Sequence, residues 1–314
     1  MEINALAHIR DCARIYSSGE HIVVLGKFLW ILGHDGQVLH RRKDILYPYK
    51  AIILSGNRVL IGQDPKAAYR MISLPEGKDL WTVPPIRMDS YGNTFTISPD
   101  EKFAYDCYDR RLKNHLVKLD LQTGNVMDNA ITGGFRCVRR IACNEEGTPC
   151  LLQTHYDERE DGRISQNGIR YPLKGRFSAR DSINWKYAWQ HSGQRIAKFF
   201  MGSTSCVLTN DLFVYDLENK REYFLLENDP KWEYPDLWPM DCWLDPQSQY
   251  LFIMYDDVNV VIDWAKRKMV ARYVGKCTRG ALICNEYWIS KGEGIRRAPF
   301  PVIEDIPPQK NVFW

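Results

Sequence analysis

The feature that most constrains the fold of this 314-residue chain is a short phrase that returns about every 40 to 50 residues. Each copy consists of a mostly apolar, strand-forming run, a tight polar turn and a second apolar run. The seven copies occupy residues 13–25, 51–62, 94–106, 139–152, 187–200, 241–254 and 280–290. A repeat of this period that is built from strands is typical of a β-propeller. The sequence therefore predicts an all-β fold, a seven-bladed β-propeller of four-stranded antiparallel blades.

The leading run of each copy predicts the innermost strand of a blade, which we call the first strand. The turn after it carries Gly, Asn, Asp, Ser or Pro, the residues that suit a hairpin. The predicted first strands end at Tyr16, Leu54, Ile97, Cys143, Gln190, Leu244 and Cys284.

A second hairpin recurs further along several copies, with an aspartate near the end of its first run. Asp120, Asp216 and Asp263 occupy this position. A short acceptor at that place can bond backbone donors of the turn that follows. We therefore expect these three carboxylates to be structural rather than catalytic.

The run SPDEKFAYD (residues 98–106), followed by VKLDLQTGNV (residues 117–126), resembles the blades of YVTN-type and WD-repeat-like β-propellers. Those blades carry a Ser-Pro-Asp turn and a Leu-Asp-Leu…Thr-Gly hairpin. The Gly-His and Trp-Asp signatures of true WD repeats are missing. The resemblance implies a seven-bladed member of the broad superfamily and assigns no subfamily.

Ring closure favours a single domain over residues 1–314. Six blades of about 45 residues fit between Ser17 and Asn285, and the two ends together supply one more. Residues 4–10 can provide the fourth strand of the last blade, which removes an exposed strand edge. The same residues also tolerate a helix, so both alternatives remain open.

Composition limits the partners and the compartment. The 42 Lys and Arg nearly balance the 39 Asp and Glu, so the charge gives no strong signal for nucleic acid or a membrane surface. No apolar window is long enough for a membrane span, and the N-terminus does not resemble a secretory signal. The nine cysteines are odd in number and scattered. They predict reduced thiols in a cytoplasmic protein.

Motifs for cofactors and metals are missing. The cysteines have no C-x-x-C spacing, and the seven histidines fall on different repeats. No P-loop, G-x-G-x-x-G or G-x-S-x-G occurs. We therefore predict no cofactor, no metal and no assigned catalytic residue.

The candidate binding residues lie in or next to the loops that lead into the first strands, which we call the leading loops. In a propeller these loops gather at one mouth of the central channel. Aromatic and arginine side chains carry much of the energy at interfaces. The leading loops are predicted to place such residues together, namely Tyr49, Arg87, Tyr91, Arg136, Trp185, Trp238 and Arg279.

These residues predict a non-catalytic module that binds a protein or peptide on the face formed by the leading loops. One alternative is a propeller enzyme of the lactone-hydrolase type, which the resemblance brings in. Its small-molecule site at the channel mouth would use Arg136, Asp181, His191 and Asp241. A second alternative is carbohydrate binding, because flat rings stack on sugars. It would use the loop residues Trp185, Trp232 and Trp238.

Overall fold

A computed structural model gives the fold of the chain. It describes residues 9, 14–18, 20–63, 68–84, 95–110, 113–131, 137–159, 162–173, 185–201, 203–229, 239–245, 249–255, 258–274, 279–284, 286–290 and 294–300. All regular secondary structure in these residues is β-strand, arranged as seven antiparallel sheets whose strands pair in chain order. Nothing helical in the described residues has the length and apolarity of a membrane span.

Contacts divide the chain into two compact units. The first comprises Met1–Tyr47, Asp211–Val214 and Glu222–Trp314, and the second Pro48–Asn210 and Tyr215–Arg221. That residues 1–314 fold as one domain stays a prediction.

The first unit contains the first, sixth and seventh sheets. The first sheet consists of β1 (Arg14–Ser17), β2 (His21–Leu25), β3 (Leu29–Gly33) and β4 (Val38–Arg42).

The second unit contains the second, third and fourth sheets. The second sheet consists of β5 (Pro48–Leu54), β6 (Arg58–Gln63), β7 (Ala68–Ser73) and β8 (Asp79–Val83). The third consists of β9 (Phe95–Ile97), β10 (Phe103–Arg110), β11 (Lys113–Asp120) and β12 (Val126–Ile131). The fourth consists of β13 (Cys137–Cys143), β14 (Pro149–Arg159), β15 (Gly162–Pro172) and β16 (Trp185–Gly193).

The remaining three sheets follow in the same order along the chain. The fifth consists of β17 (Ala197–Met201), β18 (Ser203–Thr209), β19 (Phe213–Asp216) and β20 (Arg221–Phe224). The sixth consists of β21 (Asp241–Leu244), β22 (Tyr250–Met254), β23 (Val258–Asp263) and β24 (Lys268–Val274). The seventh has three described strands, β25 (Ala281–Ile283), β26 (Glu286–Ser290) and β27 (Ile295–Pro299).

The fold is a seven-bladed β-propeller, as the repeated phrase predicts. Six of the seven first strands end where the sequence predicts, within a residue, at Tyr16, Leu54, Ile97, Cys143, Leu244 and Cys284. The prediction for Gln190 is wrong, because this residue lies in β16, the fourth strand of the fourth sheet, opposite Gly168. The hairpin of β14 and β15 has arms of 11 residues each, which delays the start of the fifth sheet to Ala197.

In the first unit, an apolar core lies between the seventh sheet and the first. Trp30 of β3 packs there with Trp288 of β26, which is fully buried. Ile9 belongs to the same core, whereas the rest of residues 4–10 lie outside the described residues. The backbone N–H of Ile15 donates to the carbonyl of Arg279 over 2.9 Å, so β1 begins beside the segment that leads into β25.

In the second unit, comparable cores lie between consecutive sheets. Tyr69 of β7 and Phe95 of β9 meet edge to face between the second and third sheets, with ring centroids 5.9 Å apart. Two further cores join the third sheet to the fourth, and the fourth to strands of the fifth. Each sheet thus buries its apolar side chains against its neighbours, as expected for repeats that cannot bury a core alone.

The three aspartates predicted to be structural do bond backbone donors of their turns. Asp120 accepts the N–H of Thr123 at 2.8 Å, Asp216 that of Asn219 at 3.0 Å, and Asp263 that of Lys266 at 2.9 Å. The bonds from Thr123 and Asn219 are the largest causes that lower the pKa of Asp120 and Asp216. The predicted bonds to the turn backbone are confirmed for all three.

Candidate functional site

Three of the seven predicted binding residues lie in described parts of the chain: Tyr49, Trp185 and Arg279. The other four, Arg87, Tyr91, Arg136 and Trp238, lie outside the described residues. The described leading-loop residues that form a cluster belong to the first unit.

Tyr49 is a strand residue rather than a loop residue. It lies in β5, is only 8% exposed and meets Phe95 edge to face with ring centroids 6.1 Å apart. Gly62 on the adjacent strand makes room for the ring, since a Cβ at that position would lie 2.7 Å from it. Tyr49 thus lies next to a leading loop, but its ring fills the core between the second and third sheets.

Trp185 is also placed differently from the prediction. It begins β16, opposite Pro172, and so lies in the fourth strand of its sheet rather than before a first strand. Its ring packs against the core between the third and fourth sheets. The same long hairpin that moves Gln190 into β16 moves Trp185 with it.

Arg279 lies where the sequence predicts, directly before the seventh sheet, and it organises a cluster in the first unit. Its Nη1 donates to Oδ2 of Asp241, the first residue of β21, over 3.2 Å. Its guanidinium lies 4.4 Å from the ring centre of Trp243 and 5.0 Å from that of Tyr16. We call these four residues the Arg279 cluster.

The Arg279 cluster is half-buried and rigid. The side chains of Arg279 and Asp241 are 20% and 22% exposed, and Oδ1 of Asp241 also accepts the N–H of Cys242 at 2.9 Å. Cation–π contacts and a charge-assisted hydrogen bond hold the guanidinium at a fixed angle. The cluster therefore presents a preorganised cationic group beside aromatic rings at the start of two first strands.

Two leading loops of the first unit carry exposed apolar side chains. Leu46 and Tyr47, before β5, are 43% and 61% exposed, and Met240, before β21, is 53% exposed. The backbone at these sites is fixed, since Tyr47 N–H donates to the carbonyl of Lys27 at 3.1 Å. Met240 N–H likewise donates to Met254 at 2.7 Å.

Tyr47 adopts a φ of 49°, in the left-handed region that a side chain of this size rarely occupies. Such a conformation costs about 1–3 kcal/mol and often marks a functional position. Tyr47, Leu46 and Met240 are not among the seven site residues predicted from the sequence. An adjacent proline in each loop, Pro48 after Tyr47 and Pro239 before Met240, is the sequence signal that they share.

In the two alternative sites, the described residues contact neighbouring side chains. Nε2 of His191 lies 2.7 Å from the hydroxyl of Tyr215, and its ring stacks on Trp189 with centroids 6.0 Å apart. Asp241 belongs to the Arg279 cluster. The other residues of those sites, Arg136, Asp181, Trp232 and Trp238, lie outside the described residues.

A cavity of about 430 Å³ opens in the second unit beside the turns that follow β9 and β13 and beside β18. Its lining includes Cys143, Glu145, Glu146, Thr204, Ser205 and Glu218. Burial, the largest cause, raises the pKa of Cys143 to about 12. Among the described residues, no group of three or more His, Cys, Asp or Glu is placed to hold a metal ion.

Comparison of the sequence with protein-family models found no match, and comparison with curated proteins found none. Solved structures do resemble the chain. The β-propeller domain of Cps50 (Swd1) from Myceliophteria thermophila has a TM-score of 0.61 at 9% identity, over 92% of this chain and 96% of that chain. Hydrazine synthase from Kuenenia stuttgartiensis has a TM-score of 0.59 at 11% identity, over 96% and 97%. At these identities the similarity supports the β-propeller fold alone.

Proposed function

We propose that this chain is a non-catalytic binding module whose partner, a protein or peptide, docks on the leading loops. The observation that carries the proposal is the exposure of Tyr47 and Met240 on backbone that hydrogen bonds hold in place. Apolar side chains on a fixed backbone bury area on binding while little chain entropy is lost. They therefore have the properties of interface anchors.

The binding free energy that these side chains can contribute is sufficient for specific recognition. Full burial of a large apolar side chain contributes about 1.5–3 kcal/mol, so Tyr47 and Met240 together can supply several kcal/mol. A few residues of this kind dominate the affinity of most interfaces, and tyrosine is enriched among them. Lys27, whose carbonyl accepts the Tyr47 N–H, adds an exposed positive charge beside the tyrosine.

The Arg279 cluster supplies the polar part of the proposed face. Its guanidinium is partly exposed and oriented, and it is flanked by aromatic rings. A partner with acidic and apolar groups complements this combination. The remaining predicted residues, Arg87, Tyr91, Arg136 and Trp238, stay part of the proposal because they belong to the same class of loop.

The fold alone does not choose between binding and catalysis, since a propeller scaffold hosts both. The two similar structures carry an enzyme name in one case and a β-propeller domain name in the other. His191 and Asp241, the described members of the alternative catalytic site, each contact a neighbouring side chain that fixes them. These packing contacts favour binding over catalysis. We also propose that the protein is located in the cytoplasm.

Photo-crosslinking at Tyr47 tests the proposal. A benzoyl-phenylalanine at position 47 keeps the aromatic ring and is expected to crosslink a partner in native lysate. The same residue at position 80 is the matched control, since Leu80 is 52% exposed but lies on β8, the last strand of its sheet. Equal yields of the same products from both positions would contradict the proposal.

Affinity measurement with the crosslinked partner sharpens the test. The double variant Tyr47→Ala/Met240→Ala is expected to weaken binding by more than about tenfold. The control double variant Leu80→Ala/Met127→Ala removes exposed apolar side chains from outer strands and is expected to bind normally. An equal loss of affinity in both double variants would indicate that the partner binds elsewhere.

A further inference from the structure

A cysteine and a histidine that are 250 residues apart in the sequence meet in the first unit. Cys284 directly follows β25 and is exposed, with a φ of 48°. Its Sγ lies 3.4 Å from Nδ1 of His34, in the turn between β3 and β4. This distance is within the range of a hydrogen bond that involves sulfur.

The proton of the neutral His34 ring can be on either nitrogen. Nε2 is buried and has no hydrogen-bond partner among the described residues, so it is unpaired in both tautomers. With the proton on Nδ1, His34 donates to the sulfur of Cys284, and only in this tautomer can the neutral ring stabilise a thiolate.

A donor aimed at sulfur favours the thiolate, which is the nucleophilic form of cysteine. The charged groups around the pair, two carboxylates and one guanidinium, do not themselves favour the thiolate. Asp35 follows His34, and the Arg297 guanidinium donates to the carbonyl of Asp35 at 3.2 Å and lies 3.8 Å from Glu286. The histidine contact is therefore the feature that distinguishes Cys284 from an ordinary exposed thiol.

We propose that Cys284 is a thiol modification site that takes small-molecule disulfides, with His34 as the residue that stabilises its thiolate. The thiolate attacks one sulfur of the disulfide, and the sulfur–sulfur bond breaks as a bond to Cys284 forms. The other half leaves as a thiolate and takes up the proton that Cys284 has given to solvent. One disulfide is consumed and one is formed, so no further oxidant is needed.

The site lies where the first and seventh sheets meet. Close to it, the hydroxyl of Ser17 donates to the carbonyl of Leu282 over 3.3 Å. A group attached to the Cys284 sulfur displaces the His34 contact at this boundary. The modification is thus coupled to the packing of two sheets of the first unit, and it does not depend on the proposed binding function.

Reaction of the native full-length protein with dithiobis(nitrobenzoate) at neutral pH tests the proposal, with release of the coloured thiolate as the signal. We expect a fast phase of about one equivalent, because the thiolate form sets the rate. That phase should vanish in Cys284→Ser and persist in Cys143→Ser. It should slow roughly tenfold in His34→Phe, which keeps a ring but has no donor. A fast phase that persists in Cys284→Ser, or keeps its rate in the folded His34→Phe protein, overturns the proposal.

A measurement on the unaltered protein covers variants that do not fold. Brief treatment with less than one equivalent of the reagent, followed by tryptic mapping, locates the modified thiol. Cleavage after Arg279 and Lys291 isolates Cys284 as the single cysteine of residues 280–291. Label concentrated on this peptide supports the proposal, and label concentrated on other cysteine peptides overturns it.

Discussion

The fourth and seventh sheets carry the same residue pair at the end of their first strands, yet the two thiols differ in environment. Cys143 ends β13 and is followed by Asn144, and Cys284 follows β25 and is followed by Asn285. The first lines a cavity and is largely withdrawn from water. The second is exposed and contacts a histidine.

The neighbouring sheet produces this difference. The turn of the third sheet brings the Asp100 carboxylate near Cys143, and both burial and that charge raise the pKa of the thiol. The turn of the first sheet brings His34 to Cys284. The same Cys-Asn pair thus differs in thiol reactivity between the two sheets, because the side chains near each thiol belong to another repeat. In a repeat protein the chemistry of a residue therefore depends on the neighbouring repeat.

The largest expected effect is the low reactivity of Cys143. With a pKa of about 12, its thiol carries about a thousandfold less thiolate at neutral pH than one with the ordinary pKa of 9.0. Alkylation of Cys143 by iodoacetamide in the native protein should therefore be much slower than that of the exposed Cys284. Peptide-resolved mass spectrometry over time measures both rates, and similar rates for the two thiols would remove the contrast.

The next largest expected effect is a difference in the free energy of unfolding between serine variants of the two cysteines. Cys143→Ser places a hydroxyl in a partly buried site packed against the core of Ile141 and Leu151, and it should destabilise the fold by about 1–2 kcal/mol. Cys284→Ser changes an exposed turn and should alter stability by less than about 0.5 kcal/mol. Urea unfolding of the two variants measures the difference, and the reverse ranking would contradict it.

Low pH should reduce the stability of the fold through protonation of Asp100, the carboxylate near Cys143. The hydroxyl of Ser98, the largest cause, lowers the pKa of Asp100 to about 2 from its usual 3.8. A carboxyl whose pKa falls on folding stabilises the protein above its unfolded pKa, and that contribution disappears as the pH drops from about 4 to about 2. Asp100→Asn should flatten the stability curve in this window, measured by urea unfolding at several pH values. An unchanged slope would contradict the assignment.

The smallest expected effect is the influence of the Asp100 charge on Cys143. Because this carboxylate is the third cause of the raised thiol pKa, Asp100→Asn should speed alkylation of Cys143 by about two- to threefold. High salt should reduce this increase in the alkylation rate, since exposed charges are screened. The rate of Cys284 in the same sample is the internal control and should not change.

Local pattern was enough to predict much of the fold. Asp120, Asp216 and Asp263 were assigned to turns correctly because a short acceptor bonds donors only two or three residues away. Gln190 was misplaced because its neighbours His191 and Gly193 resemble a turn. The length of the hairpin before them depends on tertiary pairing rather than on local sequence.

The candidate sites were less accessible from sequence. Tyr49 is aromatic and follows a proline, as a loop residue does, but the space beside Gly62 buries its ring. His34 and Cys284 belong to no shared motif, and only the contact between the first and seventh sheets joins them. Arg279 was placed correctly because the repeated phrase fixes the start of the seventh sheet.

The contact between the first and seventh sheets has a consequence for synthesis. Most strand pairs of the first unit are hairpins that can form soon after the chain emerges, whereas the bond from Ser17 to Leu282 spans 265 residues. Long-range contacts of this kind form slowly, because much chain entropy must be lost before they form. We therefore expect Ile15 and Ile22 of the first sheet to stay uncovered during synthesis until Trp288 has been translated. An apolar surface exposed for that interval makes a nascent chain prone to aggregate and dependent on chaperones.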